Sequence, residues 1–171
     1  ALLGMCLAAI LSAGTLPASA QSHSPSTQWH WNKGKIMIDS PERPAGQKDV
    51  LGLALPKMKT VRVGFVGLGM RGPSAVADFA LIPGVEVVAL CDYVEARAAK
   101  QNETLRKHGL APAAIYSGEK GYEELCRRDD IDLVYIATDW EHHAIVAKYA
   151  MEHGKNVADE VPSAMNLEEC W

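Results

Sequence analysis

Apolar positions change rhythm near residue 60. Before it, an apolar stretch over residues 1–11 gives way to a long polar segment; after it, short apolar runs alternate with amphipathic ones. The runs 61–66, 85–91 and 132–137 are mostly apolar and β-rich, with shorter ones near Ile115-Tyr116 and over 155–158. Near-continuous apolar character fits strands covered on both faces. Between the runs, Ala75, Val76, Phe79 and Ala80 make a helical apolar face behind Pro73, which suits a first helical turn. Glu95 to His108 reads as a second helix stopped by Gly109, and 121–128 as a short helix with Tyr122, Leu125 and Cys126 at i, i+3, i+4. A further helix runs from about Ala144 to His153 with Gly154 as its cap, and Asn166 opens a last one through an N-x-x-E capping box with Glu169. Strands alternating with helices predict an α/β fold whose parallel sheet is joined by crossovers.

The first run ends in Gly67-Leu-Gly-Met-Arg-Gly72, a G-x-G-x-x-G turn. Gly67 allows the tight turn, Gly69 lets the backbone approach a pyrophosphate, and Gly72 permits close packing of helix on strand. The helix that follows aims free N–H groups and a positive dipole end at the phosphates. Such a turn carries weight only in context: a strand before it, a helix after it, and an acidic residue about 20 positions on. All three are present, the last as Asp92 at the end of the second run. A carboxylate there accepts from ribose hydroxyls and repels a 2′-phosphate, which favours NAD over NADP. The fold is therefore expected to be Rossmann-like and doubly wound, and strand order reverses where the fourth run lies beside the first. Thr138-Asp-Trp-Glu-His-His143 leaves the fourth run at that reversal, where ligands collect. Trp140 can lie along a nicotinamide or adenine face, and His142 and His143 can donate to ribose, phosphate or substrate hydroxyls. No third ligand recurs at metal spacing, so no metal site is expected.

Composition narrows the function classes. The 171 residues carry a net charge of −4 with lysines and arginines scattered, which gives nucleic acid no basic field. Residues 1–20 resemble a secretory signal with a short apolar core and Ala18-Ser19-Ala20 as its cleavage site, its start missing; a buried core helix is the alternative. The stretch is too short to span a bilayer, and Met5-Cys6 is a poor lipidation site, so no stable membrane anchor is expected. Residues 21–58 read as an extension whose Trp29-His30-Trp31 packs on the domain surface, with a partner subunit of a homo-oligomer as the alternative; 59–171 reads as the NAD-binding domain. Cys91, Cys126 and Cys170 lack C-x-x-C spacing and are expected to be small buried hydrophobes.

Taken together, the glycine turn, Cys91-Asp92, Thr138 to His143, and Gly154-Lys-Asn-Val157 with Glu160-Val-Pro162 resemble the glucose-fructose oxidoreductase and inositol dehydrogenase superfamily over roughly 59–171. Two departures stand out: Val161 replaces the lysine of the superfamily's E-K-P segment, and T-P-x-x-x-H has become T-D-W-x-H-H. Both are similar to glycoside hydrolase family 109, the exported NAD-dependent α-N-acetylgalactosaminidases. That resemblance implies that Met70, Arg71, Asp92, Trp140, Glu141, His142, His143, Glu160 and Val161 contact NAD beside Gly67, Gly69 and Gly72. It implies a reaction of oxidation, elimination, water addition and reduction on a terminal sugar, an acknowledged exception to the two-carboxylate scheme. The family's acid/base residues sit in a C-terminal α+β substrate domain, so no catalytic residue is expected within these residues, and the 171-residue chain alone is expected to be inactive. An exported enzyme with bound NAD folds before export, so a twin-arginine leader is expected, placing the protein in the periplasm or outside the cell. A sugar dehydrogenase that turns over free NAD, and a non-enzymatic cofactor-binding module, are the alternatives.

Overall fold

The structure, a computed structural model, describes residues 29–38, 44–46 and 52–171. The signal-like segment 1–20 lies outside them. The chain divides into two compact units, 1–39 and 40–171.

In the first unit, β1 (Trp29–Asn32) pairs antiparallel with β2 (Lys35–Ile38). Lys33 and Gly34 both have positive φ, 48° and 79°, which gives the two-residue loop a twist matching its strands. The sequence reading names no element in this extension. The signal missed was the Lys-Gly pair, since only Asn-Gly and its relatives announce such turns strongly.

The second unit is the expected doubly wound sheet. Its elements are β3 (Val61–Val66), α1 (Gly72–Phe79), β4 (Val85–Asp92), α2 (Glu95–Lys107), β5 (Ala114–Ser117), α3 (Gly121–Cys126), β6 (Leu133–Ile136), α4 (Trp140–Glu152), β7 (Asn156–Asp159) and α5 (Leu167–Cys170). The five parallel strands lie in the order β5-β4-β3-β6-β7, so direction of progression reverses at β3.

Alternation along the strands feeds two cores. Val63, Phe65, Val87 and Leu90 join Ala75, Val76, Ala98 and Leu105 beneath α1 and α2. Val66, Ala89, Cys91, Val134 and Ile136 join Leu125, Cys126, Val146 and Ala150 beneath α3 and α4. The register between β3 and β4 skips Val88, a bulge that lets Val87 and Leu90 share a face despite their odd spacing. Phe65 anchors the first core at 0% exposure, with ring centroids 5.3 Å from Phe79 and 5.2 Å from Tyr135. Burying such a ring contributes about 1.5–3 kcal/mol.

Candidate functional site

The carboxyl ends of β3, β4, β6 and β7 converge at the reversal of strand order, and the glycine turn sits on them. Gly67 has φ +92°, and a Cβ on it would lie 2.4 Å from the carbonyl of Ala137. A Cβ on Gly72 would meet the carbonyl oxygen of Gly67 at 2.1 Å. These two glycines are required by the protein's own packing. Gly69 is different: the nearest atom to an added Cβ is Arg97 Nη1, 4.0 Å away. No described residue excludes a side chain there, so the open space over Gly69 suits a ligand that must approach the backbone. No side chain caps the N-terminus of α1, which leaves its dipole end available to an anion.

Asp92 is buried at the end of β4, and its carboxylate holds the turn. Oδ2 accepts from the Leu68 N–H at 2.7 Å and Oδ1 from the Val94 N–H at 2.8 Å. Arg97 Nη1 stands 3.5 Å from Oδ1. Each carboxylate oxygen has a second lone pair, so acceptance from a ribose remains open. Sequence reasoning missed both the anchoring of Leu68 and the presence of Arg97, because neither follows from the motif spacing.

On the other side of the turn, Arg71 and Glu160 meet each other. Arg71 Nε donates to Glu160 Oε1 at 2.6 Å, and Arg71 Nη1 donates to Ser74 Oγ at 2.9 Å. The Tyr135 hydroxyl donates to the same Glu160 oxygen. The glycine turn is thereby tied across β6 to the end of β7. Tyr135 and Arg71 hold the Glu160 carboxyl below its ordinary range, and burial with the bond to Glu160 pushes the Tyr135 phenol up to about 12. Tyr135 had no signal in the sequence beyond its place in an apolar strand.

The segment from Thr138 to His143 is not the loop expected before a helix at Ala144. Asp139 is the N-cap of α4, accepting from the Glu141 N–H at 3.1 Å, so Trp140 to His143 form the first turn. Trp140 is 63% exposed, and Glu141 and His142 are also exposed. His142 Nδ1 lies 2.7 Å from Asp139 Oδ1, which turns its other nitrogen away from the cap. Asp139, Trp140, Glu141 and Met165 line an open recess of about 510 Å³. His143 departs from this pattern. It is 2% exposed, with Nδ1 2.8 Å from the Pro162 carbonyl oxygen and Nε2 3.1 Å from that of Thr138. It reaches the site through those two backbone segments, without a free ring nitrogen of its own. Met70 and Val161 stand 100% and 82% exposed beside the turn and the end of β7.

A larger recess of about 600 Å³ lies at the opposite, amino end of β4 and β5, lined by Val85, Leu110, Arg128 and Asp130 among others. None of the candidate site residues lines it. Cys91 and Cys126 are buried, their thiols pushed up to about 12 and about 11 by burial. Cys170 is exposed on α5, which corrects the expectation that all three cysteines are interior.

A family model described as an oxidoreductase family with an NAD-binding Rossmann fold matches residues 61–171. The chain is 71% identical over 152 residues to glycosyl hydrolase family 109 protein 3 of Phocaeicola vulgatus, covering 89% of this chain and 28% of that protein. It is 49% identical over 173 residues to a glycosyl hydrolase family 109 protein of Porphyromonas gingivalis, covering 99% of this chain and 35% of that one. The chain thus spans about a third or less of the length of these curated relatives. Among solved structures, it resembles a myo-inositol dehydrogenase from Lactobacillus casei in complex with NAD(H) and myo-inositol, with TM-score 0.56, 27% identity and coverage of 64% of this chain and 31% of that one. A 3-ketoreductase from Actinomadura kijaniata in complex with NADP matches with TM-score 0.54 and 28% identity over 64% of this chain and 33% of that one.

Proposed function

Because the chain belongs to the oxidoreductase family built on the NAD-binding Rossmann fold, we propose that it is the cofactor-binding part of an exported glycosidase of family 109 acting on terminal α-N-acetylgalactosamine. In that reaction bound NAD supplies a reversible acceptor for the hydride of a sugar carbinol, so that hydride is returned within each turnover. This chain's residues do the holding. The open backbone at Gly69 and the uncapped α1 receive the pyrophosphate, Asp92 takes the adenosine ribose, and Arg71 with Glu160 fixes the turn against β7. Met70, Trp140, Glu141, His142 and Val161 line the exposed edge where the nicotinamide and sugar would lie, and His143 supports that edge from below.

The observation that carries the glycosidase reading is Val161. It projects at 82% exposure beside Glu160, and the resemblance to the superfamily implies that the dehydrogenases carry at this position a lysine near the reacting carbinol. An apolar side chain there offers no amine to take a carbinol proton, so either reading needs another base; what favours the glycosidase is that Glu160-Val161-Pro162 matches the family 109 pattern and departs from that of the dehydrogenases. The full-length enzyme incubated with p-nitrophenyl α-N-acetylgalactosaminide separates the two. Release of nitrophenol without net NADH supports the glycosidase, whereas NADH formed in step with substrate consumed rejects it.

A further inference from the structure

Asp159, at the end of β7, is a carboxylate that the cofactor reading leaves unused. Its side chain is 10% exposed, and among the described residues neither oxygen accepts a hydrogen bond of normal length and angle, with Ser163 and the Glu160 N–H as the donors nearby. A buried carboxylate in that condition is costly unless a cation lies beside it. His143 Nδ1 is 3.4 Å from Asp159 Oδ1.

The surroundings of His143 decide where a proton belongs. Both ring nitrogens face carbonyl oxygens, that of Pro162 at 2.8 Å and that of Thr138 at 3.1 Å. A carbonyl only accepts, and a neutral imidazole has a single N–H. In either neutral tautomer, one of the two contacts would set a lone pair against a lone pair. With a proton on each nitrogen, both contacts become hydrogen bonds and the ring carries the charge that Asp159 needs. Burial raises the Asp159 carboxyl; the charge of His143, the Ser163 side chain and the Glu160 backbone N–H oppose that rise, and the charge of Glu160 adds slightly to it. The shared proton therefore has two candidate homes, and the pair of carbonyls favours the ring.

We infer that Asp159 and His143 form a buried ion pair whose imidazolium clamps the backbone after β6 to the backbone after β7, making both of them positioning residues for the cofactor edge. The clamped atoms are well placed for this. Thr138 immediately precedes the cap of α4 with its Trp140, and Pro162 follows Val161, so the clamp sets the spacing between the two strips that border the reversal point. The ion pair stands on geometry alone; its effect on cofactor rests on the reading proposed above.

Nitrogen-15 NMR of the histidine-labelled chain without ligand tests the pair directly, with H143Q identifying the resonances. At neutral pH both His143 nitrogens are expected to show protonated shifts, and in folded D159N the ring is expected to become a neutral tautomer. Calorimetric titration is expected to give NAD dissociation constants about tenfold higher for D159N and H143Q than for the unsubstituted chain, the scale of one lost buried hydrogen bond. A neutral His143 in the unsubstituted chain overturns the proposal, and that measurement needs no variant to fold. So does a His143 still doubly protonated in folded D159N, or NAD affinity unchanged in both variants. Doubly protonated His143 in a chain that does not bind NAD would support the pair and reject the cofactor reading instead.

Discussion

Gly69 and Gly72 belong to one turn, and their surroundings demand opposite consequences. An alanine at 72 drives its Cβ to within 2.1 Å of a backbone oxygen, an atom that cannot swing aside. Gly72→Ala is expected to cost at least about 1–3 kcal/mol in urea denaturation, the usual range for overpacking. An alanine at 69 meets only the far end of Arg97. Gly69→Ala is expected to leave the denaturation midpoint unchanged while weakening NAD binding about tenfold or more, the loss expected when a charge-assisted bond can no longer form. A midpoint that falls as far for Gly69→Ala as for Gly72→Ala would remove the distinction. The motif residues were legible because their spacing encodes backbone geometry. Tyr135, Arg97 and Asp159 were not, since their contacts cross from one strand or helix to another and no local spacing records them.

Helix α4 shows where local reading of an element went astray. The sequence reading starts this helix at about Ala144 and leaves Thr138 to His143 as the segment before it. Asp139 supplies a stronger signal than those residues' modest propensities, since its side chain accepts from the first turn. The other elements of the sheet were legible because each apolar run is short, bounded by turn residues and matched to one helix. Ends of elements also carry charge pairs. Arg62 on β3 donates through Nε and Nη2 to Asp132 just before β6, at 2.9 Å and 2.7 Å, and its backbone N–H donates to the same carboxylate at 2.8 Å. Hydrogen bonding from Arg62 holds the Asp132 carboxyl below its ordinary range. A carboxyl with a depressed folded pKa contributes stability that is complete above its unfolded value, near 3.9, and is lost as pH falls through the folded value. Arg62→Ala is therefore expected to lower the melting temperature at pH 7 and to make its further fall between pH 5 and pH 2 shallower. Parallel melting curves for the two proteins across that interval would count against the pair. Part of the acid response remains in the variant, since Glu160 and Asp130 are depressed by their own partners.

At the scale of the whole molecule, the site is assembled from every layer: a turn on β3, a carboxylate on β4, a phenol on β6, and an acid on β7. A ligand that bridges them binds the folded chain alone and should raise its melting temperature. At 100 times its dissociation constant, NAD is expected to contribute about 2.7 kcal/mol, a rise of several degrees. NADP at the same concentration is expected to give less, because a carboxylate at the end of this strand repels a 2′-phosphate. Equal shifts from both would remove Asp92 as the selecting residue. The parallel sheet and its reversal point were legible from the alternation of runs. The hairpin of β1 and β2 was not, and it forms a unit of its own.

The place of β3 also has a consequence in time. It is flanked by β4 on one side and β6 on the other, but β6 is synthesised only after α1, α2 and α3. As the chain emerges, β3, β4 and β5 can pair while the far edge of β3 waits, apolar and open, for Leu133–Ile136. Closing that long loop is the slow, non-local event in assembling the sheet. A nascent chain held before it presents its most buried strand as an unpaired template for neighbouring chains. Protection from aggregation during synthesis thus depends on how soon four residues arrive, and no gain in the stability of the finished domain replaces them.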